Sequence, residues 1–236
     1  MARRLRQTVD KLEGRTALAS SLTLASDAEP TPKPMAHPTM SERQPEHPIA
    51  PQFLQRWSPR AFTGEALDEA TLMGFLEAAR WAPSGFNAQP WRFIFGRAGT
   101  PAWAPIFSVL SASNQGWAQR ASALVLVLSK STWTAPGQSE AQPNLTHAFD
   151  AGAAWGHLAL QVSLAGWHAH GMGGFDRELA RSTLGVPADH ALHAVIAIGR
   201  RGDKALLPEA LQARESPNQR RPLARLVAEG RFAFDA

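Results

Sequence analysis

Residues 83–91 place several polar groups between two prolines, in the order Pro-Ser-Gly-Phe-Asn-Ala-Gln-Pro-Trp. A proline ring clashes with the backbone before it, so Pro83 and Pro90 predict a shaped loop rather than a continuing helix. The hydroxyl of Ser84 and the carboxamide of Asn87 are groups that can hydrogen-bond the edge of a polar heterocycle. Serine, glycine and asparagine are also common in ordinary turns, which the loop alone leaves as an alternative.

A second segment, residues 56–62, has the sequence Arg-Trp-Ser-Pro-Arg-Ala-Phe. Pro59 favours an extended conformation for the residue before it, and alternate residues of an extended chain share one face. Arg56, Ser58 and Arg60 are therefore expected to point together. Two guanidinium groups around one hydroxyl suit a phosphate, although a solvated basic strand would have the same composition.

In this order the two segments resemble the opening motifs of the FMN-dependent nitroreductase family. The resemblance continues through an apolar helix at 150–164, a glycine-rich turn at 171–176 and a strand at 194–199. A late basic motif follows at 217–223, and the match covers roughly residues 53–232. Each motif is only moderately specific, so it is the ordered set that identifies the family.

The resemblance implies an α+β fold, a central and mostly antiparallel sheet flanked by helices, in an intertwined homodimer with FMN at the interface. It implies no catalytic side chain, because N5 of the flavin performs the hydride transfer. It also transfers a set of FMN contacts onto matching positions of this chain: Arg56, Trp57, Ser58, Arg60, Pro83, Ser84, Gly85, Asn87, Gly173, Gly174, Arg220 and Arg221.

Within that set, Arg60 is expected at the pyrimidine edge of the flavin, and the backbone of Gly173 and Gly174 near N5. The chain departs from the family pattern at two positions. Gly85 stands where the family has a second serine, and Asn218 where many relatives have a lysine. The first change removes a hydroxyl and the second removes a charge from the expected phosphate site, where Arg220 fits best and Arg221 could exchange with it.

The activity that the resemblance implies is a ping-pong reduction of nitroaromatics, quinones or related small molecules by NAD(P)H. A flavin-binding carrier or sensor without turnover would use the same arginines. An oxidase-like or flavin-consuming member of the family would also share the motifs. The sequence does not separate these alternatives, nor does it distinguish NADH from NADPH.

Composition excludes several other classes of protein. The 236 residues contain no cysteine and no tyrosine, so disulfides, thiolate chemistry and a tyrosine proton donor are ruled out. No apolar run is long enough to span a bilayer, and no nucleic-acid motif accompanies the net charge of +4. His147, Asp150 and His157 have helical spacing but form no firm ligand set, so no metal is predicted. We expect a cytoplasmic protein that contacts neither membrane nor nucleic acid.

Two parts are expected along the chain: an N-terminal tail at 1–50 and a flavin domain at 51–236. The tail is rich in Pro, Ala, Ser and Thr without periodicity, which is typical of disorder. A short basic helix, a secretory leader or translation from Met35 or Met40 are alternatives for it.

Within the domain, periodicity predicts a helix at 68–81 capped by Asp68, a strand from Trp91 and a buried strand at 123–128. A region that is helical in part is expected at 99–122. Residues 131–143 form either a pocket wall or a disordered excursion. The helix at 151–166 is apolar all round and must be buried on every side, which predicts a partner subunit.

Overall fold

A computed structural model describes residues 43–234 of the chain. The alternatives for the N-terminal tail therefore concern mostly residues outside the described range. Three short 3-10 segments, at Gly85–Asn87, Lys204–Leu206 and Leu223–Arg225, accompany the main elements. Those elements are α1 (Gln52–Gln55), α2 (Glu69–Arg80), β1 (Trp91–Arg97), α3 (Trp103–Ser108), α4 (Ala112–Ala118), β2 (Ala123–Lys130), β3 (Thr132–Trp133), β4 (Gln142–Pro143), α5 (His147–Leu164), β5 (His168–Met172), α6 (Arg177–Leu184), β6 (His190–Gly199) and α7 (Glu209–Gln212).

The main sheet has four strands in the order β1-β2-β6-β5, and every neighbouring pair is antiparallel. β2 lies at its centre, with Val125 opposite Phe95 on one side and Ile196 on the other. β3 and β4 form a separate two-stranded ribbon. The predicted α+β class with an antiparallel sheet flanked by helices is confirmed.

Both faces of the sheet are covered, which explains why β2 is apolar throughout. Successive side chains of a strand point to opposite faces. Leu124, Leu126 and Leu128 accordingly pack in one core, which includes residues of α3, α4 and α6. Val125 and Val127 pack in the other core, with α2 and α5. The sheet is therefore the middle layer between two layers of helices.

The predicted helix at 68–81 is present as α2, and its first turn is capped as expected. The carboxylate of Asp68 accepts a hydrogen bond from the backbone N–H of Thr71 at 2.8 Å. Leu72, Phe75 and Ala79 are buried against the core. The loop at 83–90 follows almost directly after the end of α2.

The glycine-rich segment differs from its prediction. Residues 171–176 were expected to form a turn, but β5 continues to Met172 because its backbone pairs with β6 as far as Val195. The turn begins only at Gly173. As a result His168 and His170 lie on one face of a strand rather than before a turn.

α5 is buried on one side only within this chain. Ala154, Leu158 and Val162 are almost inaccessible to solvent and pack beneath the sheet. The opposite side of the helix exposes 81% of Phe149. The expected burial on every side is therefore not achieved by a single copy, and an apolar helical face remains open to solvent.

Among residues 43–234, no helix is both long enough and apolar enough to cross a membrane.

Candidate functional site

Hydrogen bonds with β5, with the C-terminal segment and with Arg43 hold the first motif in place. Within the motif, Nη1 of Arg56 donates to the hydroxyl of Ser58 at 3.3 Å, which confirms that the two side chains point together. The carbonyl of Pro59 accepts from Nδ1 of His170 at 3.0 Å. Because a carbonyl can only accept, that imidazole nitrogen carries the proton. Burial, and then the nearby charge of Arg60, lower the pKa of His170 and keep its ring neutral.

Glu215 anchors the second half of the motif, and sequence reasoning did not identify it. Its carboxylate accepts from the backbone N–H groups of Arg60 at 2.7 Å and Ala61 at 2.8 Å. The side chain of Glu215 is only 4% exposed and lies 3.9 Å from the guanidinium of Arg60. Glu215 lies outside the motifs described above, so the fold and not the sequence shows that the C-terminal segment holds the backbone at Arg60.

Trp57 belongs to the interior rather than to an open surface. Its side chain is buried, and its ring meets that of His168 edge-on with 6.5 Å between the centroids. Burial and the charges of Arg201 and Arg200 lower the pKa of His168 to about 4, so this ring is neutral near pH 7.

Three guanidinium groups lie within electrostatic reach of one another beside the first motif: those of Arg43, Arg56 and Arg220, here called the arginine cluster. Burial and the charge of Arg220 lower the pKa of Arg56. Burial and the charges of Arg220 and Arg56 lower the pKa of Arg43. The cluster thus brings together one arginine from the predicted first motif, one from the late motif and one, Arg43, that was not predicted.

Of the two candidate late arginines, the structure places Arg220 rather than Arg221 in this cluster. Nη1 of Arg220 donates to Oδ1 of Asn218 at 2.8 Å. Arg220 is a cause of the lowered pKa of both Arg43 and Arg56, whereas Arg221 is a cause of neither.

The loop at 83–90 has an unusual backbone. Phe86, Asn87 and Gln89 all have positive φ, at 53°, 54° and 46°, a conformation that costs energy for residues other than glycine. The hydroxyl of Ser84 is used inside the loop, where it accepts from the backbone N–H of Gln89 at 3.0 Å. The exposed carboxamide of Asn87 is the group that remains available for a ligand.

The surroundings of Gly85 explain why a side chain does not fit at this position. A Cβ atom there would lie 2.8 Å from Oγ1 of Thr146, which is too close for a normal contact. The Thr146 hydroxyl in turn donates to the buried carboxylate of Asp150 at 2.9 Å, and Asp150 also accepts from the N–H of Gly85. A threonine hydroxyl from the turn before α5 therefore occupies the space that the serine side chain expected from the family pattern would need.

A cavity of about 280 Å³ lies beside this loop. The rings of Phe86 and Trp133 stack at one wall, with 5.2 Å between their centroids and 15° between their planes. Arg92 and Lys130 add positive charge to the lining, and Asn87 contributes its carboxamide. Trp133 lies on β3, so the segment at 131–143 is a pocket wall rather than a disordered excursion.

Gly173 and Gly174 lie in a third place, next to α4. The carbonyl of Gly174 accepts from the N–H of Ser111 at 3.0 Å and from the amide of Asn114 at 2.9 Å. A Cβ atom at Gly174 would lie 2.9 Å from the Asn114 amide nitrogen. Both glycines are exposed, and among the described residues their own N–H groups have no acceptor.

The predicted site residues therefore fall into three groups within one chain: the first motif with Arg220, the loop with its cavity, and the glycine pair. No hydrogen bond or ion pair between the described residues joins these groups to one another. Within residues 43–234, no cluster of three or more His, Asp or Glu side chains could hold a metal ion. His147 and Asp150 instead bond to Ser129 and to the loop, respectively.

Comparison with known proteins identifies the class. A sequence profile of the nitroreductase family matches residues 53–98. The chain is 31% identical to an NADH dehydrogenase of Thermus thermophilus, over 74% of this chain and 92% of that one. It is 35% identical to an uncharacterized 15.4 kDa protein of Mycolicibacterium smegmatis, over 60% of this chain and 97% of the relative.

Solved structures agree with this assignment. An oxidoreductase containing FMN is 43% identical, with a TM-score of 0.80 over 84% of this chain and 99% of that one. A Desulfovibrio desulfuricans nitroreductase in complex with FMN is 27% identical, with a TM-score of 0.60 over 80% and 100% of the two chains. The chain belongs to the nitroreductase family of oxidoreductases.

The packing of Gly85 predicts the effect of restoring the serine of the family. Gly85→Ser should lower the free energy of unfolding by about 1–3 kcal/mol, because the new Cβ meets Thr146 Oγ1. Thr146→Ala removes that atom, so the double variant should be more stable than the sum of the two single changes predicts, by about 1 kcal/mol. Urea unfolding measures all three variants.

Gly74→Ser is the matched control, since a Cβ atom at this position on α2 meets nothing within 4 Å. If the two changes at positions 85 and 146 prove additive, the steric explanation for Gly85 is wrong.

Proposed function

We propose that this chain binds FMN and uses NADH or NADPH to reduce a quinone, a nitroaromatic compound or a related small acceptor. The observation that carries this proposal is the arginine cluster. Arg56 and Arg220 come from segments more than 160 residues apart in sequence, and burial together with the charge of Arg220 lowers the pKa of Arg56. Such an arrangement suits an anion of more than one charge, and a phosphate accepts paired guanidinium hydrogen bonds.

The residues of the first motif fit the phosphate end of FMN. The hydroxyl of Ser58 already lies at hydrogen-bond distance from Arg56, so one phosphate could accept from both. Arg60 is fixed further along the motif by Glu215. Its partly exposed guanidinium is suited to the pyrimidine edge of the flavin.

The glycine pair fits the ring system. Gly173 and Gly174 expose backbone N–H groups without an acceptor in the described residues, and they lack side chains that would hold a flat ring away. Bound FMN would supply the nitrogen N5, which can accept and return hydride. The protein itself binds and orients the ring, and its loops exclude water from the open face.

The cavity beside the loop fits the second reactant. Its stacked aromatic wall and its two cations suit a planar, electron-poor or anionic molecule. The name of the Thermus relative supports a nicotinamide as reductant. No side-chain nucleophile is needed, because positioning alone brings donor and acceptor together.

We further propose that the active form is a homodimer, in which the open face of α5 packs against a second copy. This face includes Phe149, and a Cβ atom at Gly152 or Gly156 would meet nothing within 4 Å. Leu145, just before the helix, is 92% exposed. An apolar patch flanked by small residues is typical of a subunit contact. Pairing of two copies would also allow groups that lie apart in one chain to share one flavin.

The first prediction concerns FMN binding. The purified protein should be yellow or take up FMN, and Arg56→Gln should weaken FMN binding by at least about tenfold, since a charge-assisted hydrogen bond is lost. Quenching of flavin fluorescence measures the dissociation constants. Arg220→Gln should have a similar effect and Arg221→Gln a smaller one.

Arg120→Gln, which removes an exposed charge on another surface, is the control. A colourless protein that takes up no FMN would refute the proposed function.

The second prediction concerns turnover. Without oxygen, NADH or NADPH should bleach the yellow absorbance, and menadione or a nitroarene should restore it. Stopped-flow spectroscopy follows both half-reactions, and initial rates should give the parallel lines of a ping-pong scheme. A yellow protein that ignores both nicotinamides would instead support a carrier or sensor, and one that is reoxidised only by oxygen would support the oxidase-like alternative.

The third prediction concerns the dimer. Light scattering after gel filtration should give twice the mass of one chain, and Phe149→Glu should shift the protein towards the monomer, because a charge would be buried in the contact. Leu179→Glu, at an exposed position on α6, is the matched control. A wild-type monomer, or a Phe149→Glu variant that stays dimeric, would contradict the proposed contact.

A further inference from the structure

We propose that Arg43 completes the phosphate-binding site, supplying the third positive charge and fixing the positions of Arg56 and Arg220. This inference rests on the proposed binding of FMN and goes beyond it, because it assigns a role to a residue ahead of the first motif. It also changes what Asn218 is expected to do to the charge of the phosphate site. The charge that is absent at position 218 is provided from another segment of the chain.

Arg43 joins the two halves of the site through its hydrogen bonds. Nη1 donates to the backbone carbonyl of Leu54 at 3.1 Å and to that of Arg56 at 2.8 Å. On its other side, Nε donates to the carbonyl of Asn218 at 2.8 Å, and Nη2 donates to Oδ1 of the same residue at 3.0 Å. One rigid guanidinium group therefore connects the start of the first motif to the late basic motif.

Asn218 allows two arginines to lie side by side. Its Oδ1 accepts from Arg43 and also from Nη1 of Arg220 at 2.8 Å. A lysine at this position has three donors and no acceptor, so it could not bridge two guanidinium groups and would repel both. The asparagine and Arg43 therefore form one arrangement, in which a neutral acceptor separates two cations.

A second contact holds this N-terminal segment in place. The carboxylate of Glu46 accepts from the backbone N–H of Leu223 at 2.9 Å. Residues 43–46 are thus attached to the C-terminal segment at both ends. The position of Arg43 therefore depends on the contact of Glu46 as well as on its own hydrogen bonds.

Electrostatics indicate what the cluster is for. The pKa of Arg43 is lowered by burial, by Arg220 and by Arg56, so the three guanidinium groups act on one another electrostatically. Three like charges in one place repel one another in the absence of an anion. A phosphate monoester carries nearly two negative charges at pH 7, so its binding would relieve the repulsion that the fold maintains.

The test compares FMN with riboflavin, which has the same ring and no phosphate. Arg43→Gln should weaken FMN binding by about tenfold or more, the loss expected for a charge-assisted contact, and leave riboflavin binding unchanged. Arg43→Lys keeps the charge without the fork and should lie between the wild type and Arg43→Gln. Arg120→Gln, with the same change of charge on another surface, should change neither constant.

Each result decides the inference. If Arg43→Gln weakens FMN and riboflavin equally, Arg43 only stabilises the fold, and the inference is wrong. If it changes neither, the inference is also wrong while the proposed function stands. If the wild type binds no FMN, both fail. Should Arg43→Gln not fold, Arg43→Lys decides. A selective loss of FMN binding relative to riboflavin binding supports the inference, and unchanged binding of both overturns it.

Discussion

Repulsion between guanidinium groups is the constraint around which the candidate site is organised. Arg43, Arg56 and Arg220 come from three segments, and burial together with neighbouring positive charge lowers the pKa of Arg43 and that of Arg56. The fold holds them together through neutral acceptors, the backbone carbonyls and Oδ1 of Asn218. Hydrogen bonds to these acceptors position the guanidinium groups, and a neutral acceptor does not itself cancel a positive charge.

The buried sheet provides a rigid scaffold that is separate from the segments forming the candidate site. The four-stranded sheet is covered on both faces, and its central strand is almost wholly buried. The segments that form the site instead lie at the ends of elements: the first motif follows α1, the loop follows α2 and the glycine pair follows β5. Loops placed by a rigid core are where binding residues are commonly found.

The sequence could predict much of this architecture, because apolar periodicity and proline placement determine local structure. Asp68 as a cap, the buried strand at β2 and the pairing of Arg56 with Ser58 all follow from residues close in sequence. Contacts between distant segments have no such local signal. Arg43 and Glu215 act through backbone groups 11 to 175 residues away, and the extension of β5 to Met172 depends on pairing with β6. Their roles were therefore missed.

The hydrogen bonds of Asp150 have a mechanical consequence. This buried carboxylate in the first turn of α5 accepts from both the N–H of Gly85 and the Thr146 hydroxyl, so it links the strained loop to the helix. The same helix presents Phe149 to solvent on its other side. A shift of α5 when a second chain docks would displace the aromatic wall and Asn87 with it. In the proposed dimer, Asp150 would in this way couple the shape of the pocket to the quaternary state.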